Sequence, residues 1–171
     1  MNVALLSVLL PTIGLLLAGV GSPPPLPCAA SSASFSTFGS GCPGTVGIPA
    51  LAAAAGSLPQ LGSTFRLDLV NLPAGLRLVV GAVGFSTAQW QGQPLPLDLT
   101  PLGMPGCMQY IAVDATYVRF AVLGFTMWPI PIPAAPGLAG LYFYVQAMVP
   151  DVGSNPFGAT VTNAGQATIG F

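Results

Sequence analysis

The chain has 171 residues, 53% of them apolar and only 4% charged, with a formal net charge of −1, against a usual charged share of about 25%. Arg66, Arg77, Arg119, Asp68, Asp98, Asp114 and Asp151 are the whole charged inventory, without Lys, Glu or His. Three scattered arginines exclude nucleic acid as an expected partner, because neutralising phosphates takes clustered cations, and so weak a charge gives little repulsion between copies, so that a homo-oligomer or polymer is expected.

Residues 3–20 form an almost unbroken apolar run ahead of Gly21-Ser22-Pro23-Pro24-Pro25. The pattern reads as residues 1–33 forming a secretory signal peptide or hydrophobic N-terminal segment, with Cys28-Ala29-Ala30 or Ser31-Ser32-Ala33 as small-residue cleavage boxes. The alternatives are a retained helix, since about 18 residues at ~1.5 Å rise nearly span a bilayer core, and a lipid-modified Cys28. A membrane enters this reading only through that segment, if it is retained. The remaining chain, about 140 residues, suits one domain with a real core. Residues 34–41 read as a linker and 42–171 as the domain.

Along the domain, short β-like runs alternate with Gly and Pro punctuation. Residues 64–69 place Phe65, Leu67 and Leu69 on one face and Arg66 and Asp68 on the other, as a half-buried strand does. Residues 76–86 become continuously apolar, like a strand covered on both faces, and Asn71-Leu72-Pro73-Ala74-Gly75 suggests a turn pairing the two as a hairpin. Residues 107–113, 116–128, 140–149 and 160–169 supply further strands, and residues 50–55 are the one place for a helical turn. Trp128-Pro129-Ile130-Pro131-Ile132-Pro133 lacks ladder donors at its prolines, so it belongs at an edge or crosses between sheets; a proline-recognition motif is the functional alternative. The expected fold is all-β, an antiparallel β-sandwich of jelly-roll or Ig-like kind with six to eight strands.

Cys42 and Cys107 both stand in tight-turn sequences of a chain that reads as exported, and a disulfide between them is the natural inference. A metal site is the competing reading, and two thiols without His make a poor ligand set. Without His and Lys, triad chemistry is unavailable and acid–base work falls to four aspartates that no motif pairs. No enzyme, cofactor or metal is expected. Asp151-Val152-Gly153-Ser154-Asn155 offers oxygens to Ca²⁺ but reads more simply as a turn. Tyr142 and Tyr144 share one strand face at period 2, and with Trp90, Trp128, Tyr110 and Tyr117 they are candidate sugar-stacking aromatics, the competing reading being core packing.

Gly39-Ser40-Gly41-Cys42-Pro43-Gly44-Thr45, Leu95-Pro96-Leu97-Asp98-Leu99, Leu102-Gly103-Met104-Pro105-Gly106-Cys107, Gly140-Leu141-Tyr142-Phe143-Tyr144-Val145-Gln146-Ala147 and Thr162-Asn163-Ala164-Gly165 together resemble an uncharacterised exported-protein domain of planctomycete-type bacteria, over about residues 38–171. The resemblance implies export and a disulfide between the two motif cysteines. Pro133-Ala134-Ala135-Pro136 replaces a more polar stretch of that family. It implies no activity, since fold alone confers none. The expected function is a non-catalytic structural subunit, secreted or at the cell surface, self-associating into a filament, sheath or matrix. The alternative is a carbohydrate- or surface-binding module with polysaccharide as its partner.

Overall fold

The structure, a computed structural model, describes residues 31–171. The expectations for the apolar segment and for Cys28 fall on residues 1–30, outside the described residues. Among the described residues no helix is long and apolar enough to cross a membrane.

The chain is all-β. Its strands are β1 (Ser34–Phe38), β2 (Ala50–Ala53), β3 (Thr64–Val70), β4 (Arg77–Gly84), β5 (Gln89–Trp90), β6 (Gln93–Pro94), β7 (Leu97–Asp98), β8 (Met108–Gln109), β9 (Ala115–Ala121), β10 (Thr126–Pro131), β11 (Tyr142–Pro150), β12 (Ala159–Val161) and β13 (Ala164–Thr168). A six-stranded antiparallel sheet has the order β1-β13-β11-β4-β9, with β12 also paired to β11, and a three-stranded sheet has the order β10-β3-β2. Neither closes into a barrel. Two small two-stranded ribbons, β5-β6 and β7-β8, lie in the long excursion between β4 and β9.

The two main sheets bury one face each in a common core. Phe65, Leu67 and Leu69 of β3 alternate inward as their period requires, and they meet Val79 of β4 and Phe143, Val145, Ala147 and Val149 of β11. Trp128, on β10, is 2% exposed. Its ring lies flat on Gly81 of β4, where an added Cβ would stand 2.6 Å from Trp128 Cη2, so the glycine supplies the space that the indole fills. Phe35 of β1 meets Phe65 across the sheets with ring centroids 5.3 Å apart. Asn163 completes the junction: its amide accepts from Leu51 N (2.8 Å) and donates to Leu51 O (2.9 Å). One side chain thus pairs with β2 as a neighbouring strand would.

Five sequence expectations are corrected. The two main sheets alone hold nine strands, above the six to eight expected. The stretch 71–76 does not close a hairpin, because β3 pairs β10 and β2 while β4 pairs β11 and β9; the connection crosses from one sheet to the other. Residues 50–53 are a strand rather than a helical turn, held by β3. The lead-in expected over 34–41 is part of the sheet, through β1 pairing with β13. Residues 116–128 divide into β9 and β10 at a two-residue turn, where Val122 and Phe125 exchange backbone hydrogen bonds. The Pro-rich run lies where its missing donors demand: β10 is an edge of the three-stranded sheet.

Replacing Gly81 by Ala is expected to destabilise the fold by about 1–3 kcal/mol through overpacking. Trp128→Phe in the same chain should recover part of that loss, because the two positions share one contact. Denaturant midpoints of the two single variants and the double variant measure the coupling.

Candidate functional site

Three surfaces of the six-stranded sheet stand out: its outer face, its two edges, and the loops at one end of its strands.

The outer face is partly covered by the excursion. Gln146, buried in the middle of β11, donates from Nε2 to Met108 O and to Thr162 O (2.9 Å each), and its Oε1 accepts from Tyr110 N (2.9 Å). The Cys42–Cys107 disulfide is formed, with Cα atoms 4.9 Å apart. Cys42 is itself seated against β12, where Cys42 N donates to Val161 O (3.1 Å). Between sheet and excursion lies a half-open apolar cavity of about 220 Å³, walled by Val80, Ala82 and Met148 from the sheet and by Leu99, Leu102, Met104 and Ile111 from the excursion. It exceeds the ~150 Å³ of an engineered apolar cavity known to hold benzene.

The candidate aromatics do not gather into one platform. Trp128 is enclosed in the core, so its ring faces are closed to a ligand. Tyr142 and Tyr144 do pack together (5.6 Å, 66° between ring planes), and the series continues through Phe38 to Tyr110. These rings meet edge to face, so the cluster presents no shared plane. Trp90 stands at a separate shallow depression with Phe85, Gln89 and Asp114. Tyr117 leans on Trp128 at 6.0 Å.

The four aspartates are dispersed among local tasks. Thr100 Oγ1 (2.6 Å) and Thr100 N (2.8 Å) donate to Asp98 Oδ1 and hold that carboxyl below the usual carboxylate range. Asp114 accepts from Phe85 N, whereas Asp68, on the side of β3 away from Phe65, Leu67 and Leu69, has its Oδ1 enclosed without a hydrogen-bond partner among the described residues. Asp151 accepts from Thr45 N and Thr45 Oγ1 (2.7 Å each). In the same loop Asn155 Oδ1 accepts from Gly158 N (2.9 Å) while its Nδ2 donates to Ala159 O (2.6 Å). The oxygens that the sequence offers to Ca²⁺ are engaged instead in building this turn and bracing it to the loop 43–49.

Sequence reasoning missed the third surface. The loops 43–49, 71–76, 122–125 and 151–158 all lie at one end of the strands, as the registers Ala50 to Val70, Leu69 to Thr126, Arg77 to Ala121 and Pro150 to Ala159 require. Side-chain and backbone bonds brace them to one another. Asn71 Nδ2 donates to Ile48 O (3.0 Å), Leu72 N donates to Gly124 O (3.1 Å), and Thr45 holds Asp151. Each loop nonetheless carries a large exposed apolar residue, foremost Leu123 at 86% and Val152 at 83% exposure. The one signal in the sequence is Leu123-Gly124 in a turn where Asn-Gly is the favoured pair. No protein-family model matches the chain, and no curated protein and no solved structure shows significant similarity to it.

The disulfide closes a separation of 65 residues, so its loss by Cys42→Ala with Cys107→Ala is expected to destabilise the fold by roughly 4 kcal/mol on the chain-entropy model. Denaturant midpoints of the two chains compare them directly. An unchanged midpoint would mean that Gln146 and apolar packing alone hold the excursion.

Proposed function

We propose that the chain is a non-catalytic extracellular structural subunit whose copies self-associate side by side, building a filament, sheath or matrix. Unequal shielding of the sheet edges carries this reading. The β10 edge bears Pro129 and Pro131, which offer no ladder donors, and the β2 edge is only four residues long. By contrast β1 and β9, the two edges of the six-stranded sheet, contain no proline and no lysine, and Arg119 is their one charge. Unpaired backbone groups on such edges are a template for another chain.

The antiparallel path β1-β13-β11-β4-β9 makes β1 and β9 run in the same direction. A translated copy would therefore set its β1 against β9 of the previous one, a head-to-tail contact that does not close on itself. The charge-poor surface adds no repulsion. We take the scaffold as an antiparallel β-sandwich of jelly-roll or Ig-like kind, on the strength of the core shared by its two sheets. The disulfide is compatible with an oxidising compartment, and the resemblance to an exported-protein domain argues the same way. Dispersal of the aspartates supports the absence of catalysis. The carbohydrate-binding alternative rests on Tyr142 and Tyr144 and is weakened by their edge-to-face packing, since a stacked sugar needs an open ring face.

Sedimentation velocity across a concentration series is expected to show growth of the full chain. Ser36→Lys on β1 and Val118→Lys on β9 should each suppress it. Suppression by the β9 change alone would replace the head-to-tail contact with a two-fold pairing of β9 strands. A monomer at every concentration would end the structural-subunit reading.

A further inference from the structure

Single apolar residues scattered over a surface are ordinary. Large exposed apolar residues also stand at the opposite end of the strands, among them Phe85, Leu141 and Phe171, but the four braced loops each carry at least one. Val46 and Ile48 stand in 43–49, Leu76 in 71–76, Val122 and Leu123 in 122–125, and Val152 in 151–158, all of them exposed. Loops of this kind are normally built from polar turn residues. The one charged side chain within these four segments is Asp151, and its carboxylate is buried and taken up by Thr45. Leu123 is the plainest case. Its φ is 56° and that of Gly124 is 81°, a type I′ turn whose first position suits Asn, Asp or Gly and penalises a branched apolar side chain. A residue that is both strained and 86% exposed contributes little to the fold that holds it.

We infer that this loop tip is a lipid-docking device, with the apexes at Leu76, Leu123 and Val152 entering the acyl boundary of a phospholipid bilayer and Arg77 and Arg119 meeting its phosphates. The shape favours a fluid partner over a folded one. The apexes are convex and stand on separate loops, so a protein would need a matching set of hollows, whereas acyl chains flow around any outline. The charge placement agrees. Arg77 directly follows Leu76, and Arg119 precedes Leu123 by four residues, about 13 Å at ~3.3 Å per residue. Both arginines thus fall behind the apexes, near headgroup level for a tip that enters by about 5–10 Å. Both side chains keep partial exposure although each Nε is enclosed, and a guanidinium suits bidentate contact with phosphate through its two terminal nitrogens. Asp68, beside Met127 in the register of β10 with β3, is the nearest carboxylate on the strands behind the tip and belongs to the other sheet. The inference is independent of edge-to-edge association, because the tip points along the strands and the edges face sideways.

The test uses the full chain with phosphatidylcholine–phosphatidylglycerol vesicles carrying brominated acyl chains, and tryptophan fluorescence corrected for Trp90 and Trp128. Leu123→Trp places a probe at the tip, and Leu58→Trp places one in the loop 54–63 at the opposite end of the strands. Quenching of the first probe but not the second is the expected result. Val152→Ser combined with Leu123→Asn should weaken vesicle partition by about tenfold or more, while leaving the melting temperature no lower, since Asn relieves the turn. Quenching only at position 58, or at neither position, would overturn the inference. So would a blue shift at position 123 that grows with protein concentration without lipid, because a second copy would then be the occupant.

Discussion

The indole of Trp128 against the bare backbone of Gly81 is the contact on which the arrangement of the two sheets depends. It joins β10 in one sheet to β4 in the other, and Tyr117 on the neighbouring β9 packs against the same ring. The chain leaves the six-stranded sheet at Ala121 and enters the three-stranded one at Thr126, turning in only four residues. Such a crossing is stable only if both strands are held close behind the turn. Trp128 supplies that hold, and Thr126 Oγ1 adds to it by donating to Phe120 O (2.9 Å). The position of the exposed Leu123 apex is therefore a consequence of core packing several residues away.

Neutral polar groups perform the joining that charged pairs perform elsewhere. Gln146 ties the excursion and the turn before β13 to the middle of β11, Asn163 pairs with β2, and Thr162 Oγ1 accepts from Ala147 N (3.0 Å) while donating to Asn163 O (2.7 Å). These bonds sit at full or partial burial, where an amide left unpaired would cost about 1–3 kcal/mol. An ion pair in the same places would carry a larger desolvation cost. Charge scarcity is thus compatible with a specific fold, because short, well-aligned amide and hydroxyl bonds fix register without it.

Local pattern was legible in the sequence, and long-range pairing was not. The alternation of residues 64–69 emerged as β3, the missing donors of Pro129 and Pro131 put β10 at an edge, and the turn contexts of Cys42 and Cys107 yielded the disulfide. The hairpin expected between β3 and β4 failed because a turn sequence such as Asn71-Leu72-Pro73-Ala74-Gly75 specifies a reversal without specifying which sheet the chain re-enters. The break within residues 116–128 was invisible because Leu123 adopts a left-handed conformation that its residue type does not advertise. Residues 50–53, alanine-rich and helical by propensity, are strand because β3 offers them a partner, a tertiary override of a weak local preference. Gln146 did leave a trace: an amide inside the apolar run from Phe143 to Val149 implies a buried partner. The loop tip left almost none, since exposure is a property of the assembled surface and four separated segments had to be brought together to create it.

The directions of the strands connect the two surfaces. Both β1 and β9 run toward the loop tip, as their registers with β13 and β4 show. Copies added by translation would then keep every tip on the same side, and a row of them would present one continuous apolar margin behind which Arg77 and Arg119 recur. A two-fold pairing of β9 strands would instead send successive tips in opposite directions and leave half of them facing water. A bilayer under the tips would therefore favour the open-ended arrangement over the closed dimer, because only translation lets every copy bury Leu123 and Val152 at once. Each added subunit would in turn hold its neighbours' tips at the surface, since linked sites raise one another's effective concentration. Association along the edges and insertion at the tip would reinforce each other in a layer lying on a membrane, although neither contact requires the other in order to form.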